Sequence, residues 1–214
     1  MEVKEELLHA ITKRVMEKLK EYETHKVPVG VSNRHVHLCT EDLEKLFGKG
    51  YHLTKKNDLK QPGQFASNET VTIRGPKGEF EKVRILGPVR SQSQVEISKT
   101  DSFRLGLKAP VRESGDLEET PGIELIGPRG SVLLPHGAII ALRHIHMTPM
   151  QAQAMGVQDK EIVEVETFGE RRGVLGDVLI RVSDHYALEM HVDVDEANAC
   201  SLKNNDYVIV RRPQ

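Results

Sequence analysis

The first twenty residues place apolar side chains at helical spacing, with charged side chains between them. In MEVKEELLHAITKRVMEKLK one stripe consists of Val3, Leu7, Leu8, Ile11, Val15 and Leu19. Recurrence every three or four residues is typical of an amphipathic helix. The polar segment EYETHK follows, so we predict an N-terminal helix over 1–22. It either packs on the body of the protein or serves as a detachable docking helix.

From Val27 onward the pattern changes to short alternating apolar runs separated by Gly-Pro turns. VTIRGPKGEFEKVRIL predicts a hairpin that turns at 75–78, and GIELIGPRGSVLLP predicts a second one that turns at 127–130. Helix starts are indicated at Thr40, at Thr148 before a proline, and at Asp195 as an N-cap. Short strands joined by short helices favour small closed β-barrels with helical caps.

Two motifs occur twice, and their order predicts how the chain is divided. The order is an Arg-His-x-His motif, two Gly-Pro-basic-Gly hairpins and a second Arg-His-x-His motif. We therefore predict a mainly β fold with short α caps (α+β), built from two small closed β-barrel domains that are discontinuous in sequence, plus the N-terminal helix. One barrel would comprise 26–50 and 140–214, and the other would comprise 51–139.

Composition and charge narrow the class of protein. Only 4% of the residues are aromatic, so the core must be aliphatic, and two cysteines suit a reduced cytoplasmic protein. The net charge of −2 argues against nucleic acid as a partner, and no apolar run is long enough to span a membrane. Residues 51–112 carry twelve basic and six acidic side chains. This excess favours a small anionic ligand, unless these side chains merely solvate the outer faces of strands.

The repeated Arg-His-x-His motif predicts metal binding. Residues i and i+2 of a strand point to the same face, so His35 and His37 would present two imidazoles side by side. The same holds for His144 and His146. Two histidines on a rigid strand are favourable zinc ligands because little side-chain entropy remains to be lost.

Further ligands are offered by His191, on an alternating strand before a helix, and by Glu96, between two apolar residues. Five histidines and one glutamate suffice for two three-ligand metals with open positions, which indicates catalysis rather than a structural role. One alternative is a cupin-like site that uses Glu41. Another is a zinc-stabilised binding or scaffold protein, although structural zinc prefers cysteine.

Arg90 is the first candidate for binding an anion. It precedes Glu96 by six residues, and a guanidinium group suits bidentate binding of phosphate. The alternative is an ordinary surface arginine at the end of a strand.

Five segments in order resemble the PduL-type phosphotransacylases, also called phosphate propanoyltransferases. These segments are VPVGVSNRHVHL, QPGQFASNETVTIRGPKG, VRILGPVRSQSQVEIS, ALRHIHMTP and LEMHVDVDEANA. The resemblance implies two β-barrel domains with a di-metal site between them, normally two Zn²⁺ per chain, with Co²⁺, Mn²⁺ or Fe²⁺ as other occupants. It implies that His35, His37 and Glu96 bind one zinc, that His144, His146 and His191 bind the other, and that Arg90 binds phosphate.

The implied reaction is the reversible conversion of acyl-CoA and phosphate into acyl phosphate and CoA, with a propanoyl or acetyl group. We expect direct attack of phosphate on the thioester, without an acyl-enzyme. The alternative enzyme is a zinc-dependent thioester or amide hydrolase, which would not require phosphate. The expected partners are acyl-CoA, CoA, inorganic phosphate and a second copy of the chain in a homo-oligomer.

The resemblance also gives the N-terminal helix a second interpretation. Some phosphotransacylases of this type use such a helix to dock into a bacterial microcompartment. Residues 1–20 would then contact shell or core proteins, and the enzyme would be cytoplasmic or enclosed in the microcompartment.

Overall fold

The computed structural model describes the backbone of residues 2–211, and their side chains except those of 2–6 and 21. The helices are α1 (Glu2–Thr24), α2 (Thr40–Phe47), α3 (Lys99–Leu105), α4 (Pro149–Met155) and α5 (Val194–Cys200). The strands are β1 (Lys26–Ser32), β2 (His35–His37), β3 (Lys55–Asp58), β4 (Phe65–Arg74), β5 (Glu79–Gly87), β6 (Gln94–Glu96), β7 (Val111–Arg112), β8 (Ile123–Ile126), β9 (Ser131–Leu134), β10 (Ala138–Ala141), β11 (His144–Met147), β12 (Ile162–Glu166), β13 (Val174–Val182), β14 (Glu189–Asp193) and β15 (Tyr207–Arg211). Within these residues no helix combines the length and apolar character needed to cross a membrane.

Six strands form a closed barrel in the order β1-β14-β11-β13-β12-β15. The N-terminal strand β1 pairs in parallel with β14 and antiparallel with β15, so the barrel joins the two ends of the chain. Its interior is aliphatic and fully buried, with Val27, Val29, Ile145, Ile180 and Val208 among its members. The predictions of a mainly β fold and of a closed barrel are confirmed.

The other strands form an open half-barrel in the order β7-β10-β6-β2-β5-β4-β8-β9, with β3 on the side of β4. This unit stands where a second closed barrel was predicted. Its edge strands β7 and β9 have two and four residues. Helices complete the core instead, because Leu43 and Leu46 of α2 and Leu105 of α3 are buried in the same apolar cluster as Val36 and Ile85.

Strand pairing does not follow the ranges 26–50 and 140–214, whose assignment to one domain stays a prediction. Of the first range, only the strand β1 pairs in the barrel, whereas β2 pairs with β5 and β6 of the half-barrel. The strand β10 also belongs to the half-barrel. The sequence does not reveal this because the partners of β2 lie far along the chain. Residues 212–214 lie outside the described residues.

The predicted helix starts at Thr40 and Thr148 are confirmed, whereas the third one differs. Thr148 caps α4 with a reciprocal capping box, as expected. Helix α5 begins one residue after Asp193, whose carboxylate accepts hydrogen bonds from the backbone N–H of Asp195 (2.8 Å) and Glu196 (2.9 Å). The prediction of Asp195 as N-cap is therefore wrong, because the last residue of the preceding strand already has the extended backbone that a cap needs.

The starts of helices α2 and α3 complete the comparison with the sequence. Thr40 is the first residue of α2, as expected, and Cys39 is the N-cap, although its side chain accepts no hydrogen bond from the helix backbone. Helix α3 had not been predicted, although Ser98 and Asp101 form a capping box that the sequence spacing indicates.

The Gly-Pro-basic-Gly hairpins each bind the end of a helix. The N–H of Lys77 donates to the carbonyl of Leu105 at the end of α3 (3.0 Å), and the N–H of Arg129 donates to the carbonyl of Leu46 near the end of α2 (3.0 Å). Carbonyl groups in the last turn of a helix have no partner within the helix. The repeated turn therefore supplies the donor that each helix end requires.

The N-terminal helix α1 leaves its apolar stripe uncovered. Leu7, Leu8, Ile11, Val15 and Leu19 are each at least half exposed. Val3, the remaining predicted member of the stripe, lies outside the described side chains. In the structure these five side chains therefore do not pack on the rest of the chain.

Candidate metal centre

Each histidine pair lies opposite a third possible ligand on an antiparallel strand. In the half-barrel, His35 of β2 lies opposite Glu96 of β6. In the barrel, His144 of β11 lies opposite His191 of β14. Both arrangements are antiparallel and have the same register, so the two units present equivalent groups of three side chains.

The first group comprises His35, His37 and Glu96. The Nε2 atom of His35 lies 3.3 Å from Oε2 of Glu96, and Nε2 of His37 lies 3.8 Å from Oε1 of the same carboxylate. One possible ligand atom from each residue lies within 4.8 Å of the others. Two imidazoles and a carboxylate directed at one point form a donor set that zinc accepts.

The second group comprises His144, His146 and His191. The Nε2 atoms of His144 and His146 are 3.0 Å apart. The ring centroids of His191 lie 5.0 Å from those of both His144 and His146. The three possible ligand atoms again lie within 4.8 Å of one another. Three imidazoles converge on one point, as they do in the three-histidine sites of catalytic zinc.

The hydrogen bonds of the histidines fit metal ligation better than a satisfied core. The Nδ1 atom of His35 lies 2.8 Å from the carbonyl of Asn33, and Nδ1 of His144 lies 2.7 Å from the carbonyl of Leu142. A carbonyl only accepts, so Nδ1 of each ring carries a proton and Nε2 is the atom left to bind a metal. The buried Nδ1 atoms of His37 and His146 have no hydrogen-bond partner among the described residues.

Burial keeps three of these imidazoles neutral, which is the state a metal ligand requires. Burial lowers the pKa of His37 to about 3, helped by repulsion from His35 and opposed by the carboxylate of Glu96. Burial and the neighbouring His191 lower the pKa of His144 to about 4, and burial with His144 lowers that of His146 to about 2.

The pKa of one histidine, His35, is raised instead of lowered, and Glu96 is the cause. Burial alone would lower the pKa of His35, but the carboxylate of Glu96 outweighs burial and raises this pKa. Burial likewise would raise the pKa of Glu96, but His35 and His37 hold it well below its usual value. The carboxylate is therefore ionised and able to bind a cation.

Arg90 lies beside the first group. Its Nη1 atom donates to the hydroxyl of Ser114 (2.9 Å), which in turn donates to Oε1 of Glu96 (3.0 Å). Burial lowers the pKa of Arg90, partly offset by the carboxylate of Glu96. A partly buried guanidinium remains charged and gains from an anion that replaces its lost hydration.

The arginines of the two Arg-His-x-His motifs have a different role. Arg34 forms a bidentate ion pair with Asp101 in α3, with contacts of 2.7 and 2.9 Å. Arg143 binds Glu196 in α5 at 3.1 Å. Both carboxylates belong to capping boxes, in the helices that follow Glu96 and His191. These arginines bind the helices that follow Glu96 and His191, and they are not metal ligands.

Both groups and Arg90 line one cavity of about 500 Å³ between the barrel and the half-barrel. Several other residues of its wall were not indicated by the sequence, namely Ser114, Arg181, Tyr186 and Glu189. Arg181 lies opposite His146 on β13 and helps to lower the pKa of that histidine. It lies between Ile180 and Val182 near the end of a strand, so in sequence it resembles a solvent-facing strand residue.

Glu41, the ligand of the cupin-like alternative, is directed elsewhere. It lies in the first turn of α2, is exposed, and pairs with Lys45 at 2.6 Å. The cupin-like interpretation is therefore wrong. The structure brings together all six predicted ligands and Arg90 around the cavity.

Comparison with known proteins gives a consistent result. A family model described as phosphate propanoyltransferase matches residues 28–203. The phosphate propanoyltransferase of Thermotoga maritima is 58% identical over 206 residues, covering 94% of this chain and 98% of that protein. The one from Rhodopseudomonas palustris is 55% identical, covering 86% and 81%. The one from Salmonella typhimurium is 48% identical, covering 93% of both.

Proposed function

The chain belongs to the phosphate propanoyltransferase family and is an acyltransferase, and on this premise we propose that it interconverts acyl-CoA plus phosphate with acyl phosphate plus CoA. The acyl group is short, propanoyl or acetyl. The observation that carries the proposal is the convergence of two possible metal groups and Arg90 on one cavity. Thioester hydrolysis would use the same ligands but would have no need of an anion-binding arginine.

The two groups of three residues would hold one Zn²⁺ each. His35, His37 and Glu96 would hold one, and His144, His146 and His191 would hold the other, with Co²⁺, Mn²⁺ or Fe²⁺ as possible substitutes. When bound, such ions supply charge stabilisation for a carbonyl oxygen and for a thiolate leaving group. The neutral imidazoles of His37, His144 and His146 and the ionised Glu96 are already in the states that ligation requires.

Arg90 would bind phosphate and place it against the thioester. Its guanidinium group is fixed by Ser114, which leaves other N–H donors for an anion. A phosphate oxygen forms the new bond to the acyl carbon, the carbon–sulfur bond breaks, and its electron pair leaves with sulfur. The proton released by hydrogen phosphate passes to the thiolate and gives the thiol of CoA. Because the phosphate oxygen attacks the acyl carbon directly, no acyl-enzyme forms. Bringing two bound reactants together supplies several kcal/mol of the barrier reduction.

The basic segment 51–112 would attract the phosphates of CoA. Lys60 and Arg84 of this segment lie in the wall of the cavity. Screening by salt weakens interactions between exposed charges. High salt should therefore raise the KM for acyl-CoA.

The N-terminal helix would dock the enzyme to shell or core proteins of a bacterial microcompartment. The exposed apolar stripe of α1 supports this role, because it is available to a partner. The enzyme would thus work in the cytoplasm or inside the microcompartment, as a homo-oligomer.

CoA release from propanoyl-CoA and acetyl-CoA tests the proposed reaction. We expect turnover by the metal-loaded protein only with inorganic phosphate present, and loss of turnover after metal removal by a chelator. Adding back zinc should restore it. Metal-dependent CoA release at the same rate without phosphate would identify a hydrolase, and trapping of an acylated side chain in a single turnover would exclude direct attack.

A further inference from the structure

The residue two positions before the third ligand occupies an equivalent place in both units. Gln94 precedes Glu96 on β6 and lies opposite His37. Glu189 precedes His191 on β14 and lies opposite His146. Alternation along a strand directs residues i and i+2 to the same face. Gln94 and Glu189 therefore complete two equivalent squares of four side chains.

Each of these residues binds the third ligand with the matching hydrogen-bond chemistry. Gln94 donates its Nε2 to the carboxylate of Glu96 at 2.6 Å. Glu189 accepts at Oε2 from Nε2 of His191 at 2.8 Å. An amide donor thus faces a carboxylate ligand, and a carboxylate acceptor faces an imidazole ligand. Both partners are buried, with Gln94 1% and Glu189 8% exposed.

The surroundings fix the orientation of both partners. The N–H of Gly115 donates to Oε1 of Gln94 at 2.7 Å, so the amide NH₂ must face Glu96. On the other side, Gln61 lies 3.5 Å and Lys60 3.7 Å from the carboxylate of Glu189. A Cβ atom at Gly30 would lie 2.8 Å from Oε1 and Cδ of Glu189. The absence of a side chain at Gly30 leaves the space that this carboxylate fills.

We propose that Gln94 and Glu189 are positioning residues that orient the third metal ligand of each group, and this inference rests on the proposed function. Glu189 lies outside the group of mutually close ligand atoms formed by His144, His146 and His191. Its bond to Nε2 of His191 directs Nδ1 as the ligand atom and fixes the tautomer. Carboxylate partners of this kind raise the basicity of a ligating imidazole.

Zinc affinity measured by chelator competition, with the content measured by mass spectrometry, tests the proposal without recourse to activity. We expect Glu189→Ala to weaken one of two zinc ions by about 10- to 100-fold and to leave the other unchanged. Glu189→Gln should recover part of the loss, because its carbonyl oxygen still accepts from His191. Gln94→Ala should weaken the other ion instead. Glu170→Ala, in an exposed loop, is the control.

A second variant and a spectrum separate positioning from folding. Gly30→Ala retains the carboxylate but displaces it, so it should weaken the same ion as Glu189→Ala. In Co²⁺-loaded protein, Glu189→Ala should shift the visible absorption bands of that site, whereas a purely structural residue would leave them unchanged. The melting temperature of the metal-free variants verifies folding.

The possible outcomes are distinct. Unchanged affinities and spectra in Glu189→Ala and Gln94→Ala, with two zinc ions in the wild type, would overturn this inference alone. Complete loss of one ion in both Glu189→Ala and Glu189→Gln would make Glu189 a ligand itself, which also overturns it. A wild-type protein that binds no zinc would overturn the metal assignment of the proposed function as well.

Discussion

Neighbours across the strands decide what each residue of the cavity can do. His35 and His37 are two positions apart, yet the pKa of His35 is raised and that of His37 falls to about 3. The difference arises because Glu96 lies closer to His35 and outweighs its burial. Arginines differ in the same way, since Arg34 is paired with the carboxylate of Asp101 whereas Arg90 has the neutral partner Ser114. Arg90 is thus the one of these two that is suited to an anion.

Substitution of Arg90 tests this assignment. Arg90→Ala should reduce kcat/KM for phosphate by roughly 10- to 100-fold, because a hydrogen bond to a charged group contributes on the order of 1.5–3 kcal/mol. Arg90→Lys should recover part of the loss, since lysine keeps the charge but lacks the planar fork. Initial rates at varied phosphate and at varied propanoyl-CoA separate the two KM values.

The exposed Arg171 provides a matched control, and Arg171→Ala should leave both KM values unchanged. The assignment fails if Arg90→Ala raises the KM for propanoyl-CoA as much as that for phosphate.

At the scale of elements, the repeated turns form hydrogen bonds with the ends of helices. The Gly-Pro-basic-Gly turns donate to the last carbonyl groups of α3 and α2, and each first glycine lies against one of those carbonyls. The turns were predictable because their residue types mark hairpins, but their contact with helices was not, since it joins distant segments. Helix α3 was missed although the spacing of Ser98 and Asp101 indicates a capping box. In that case the signal was local and could have been used.

Alanine at the first glycine of each turn should destabilise the protein. A Cβ at Gly75 would collide with the carbonyl oxygen of Leu105, and one at Gly127 would lie 2.6 Å from that of Leu46. We expect each substitution to lower the free energy of unfolding by about 1–3 kcal/mol, because backbone must shift to admit the methyl group. Urea denaturation measures the change. Gly173→Ala should have little effect, because a Cβ added there would have no atom within 4 Å. Equal stability of all three variants would contradict the prediction.

At the scale of the whole molecule, the cavity lies where the barrel and the half-barrel meet. Gln61 of the half-barrel exchanges hydrogen bonds with the backbone of Ala187 in the barrel (2.9 and 3.2 Å). The N–H of Thr100 donates to Asp195 of α5 at 2.7 Å. These contacts bind the segment next to His191 and the helix after it to the opposite unit. Helix α1 contributes no side chain to either apolar cluster within the described residues.

Deletion of residues 1–20 should therefore leave the melting temperature and the phosphate-dependent turnover close to those of the full chain. It should abolish cosedimentation with purified bacterial microcompartment shells, because the apolar stripe is removed. The pair Leu8→Glu and Ile11→Glu retains the helix length and should have the same effect. A lower melting temperature or aggregation of the shortened chain would instead assign α1 a structural role.

The sequence by itself determined the mainly β class, the two hairpins, the six possible metal ligands and Arg90. These features are local, because adjacent residues determine both the alternation within a strand and the helix start after it. Tertiary structure decided that β2 and α2 belong to the half-barrel, that this sheet stays open, and that Glu189, Ser114 and Arg181 line the cavity. It also decided that Gln94 lies against Glu96. Each of these depends on register between distant strands, and a shift of one residue would direct every side chain to the opposite face.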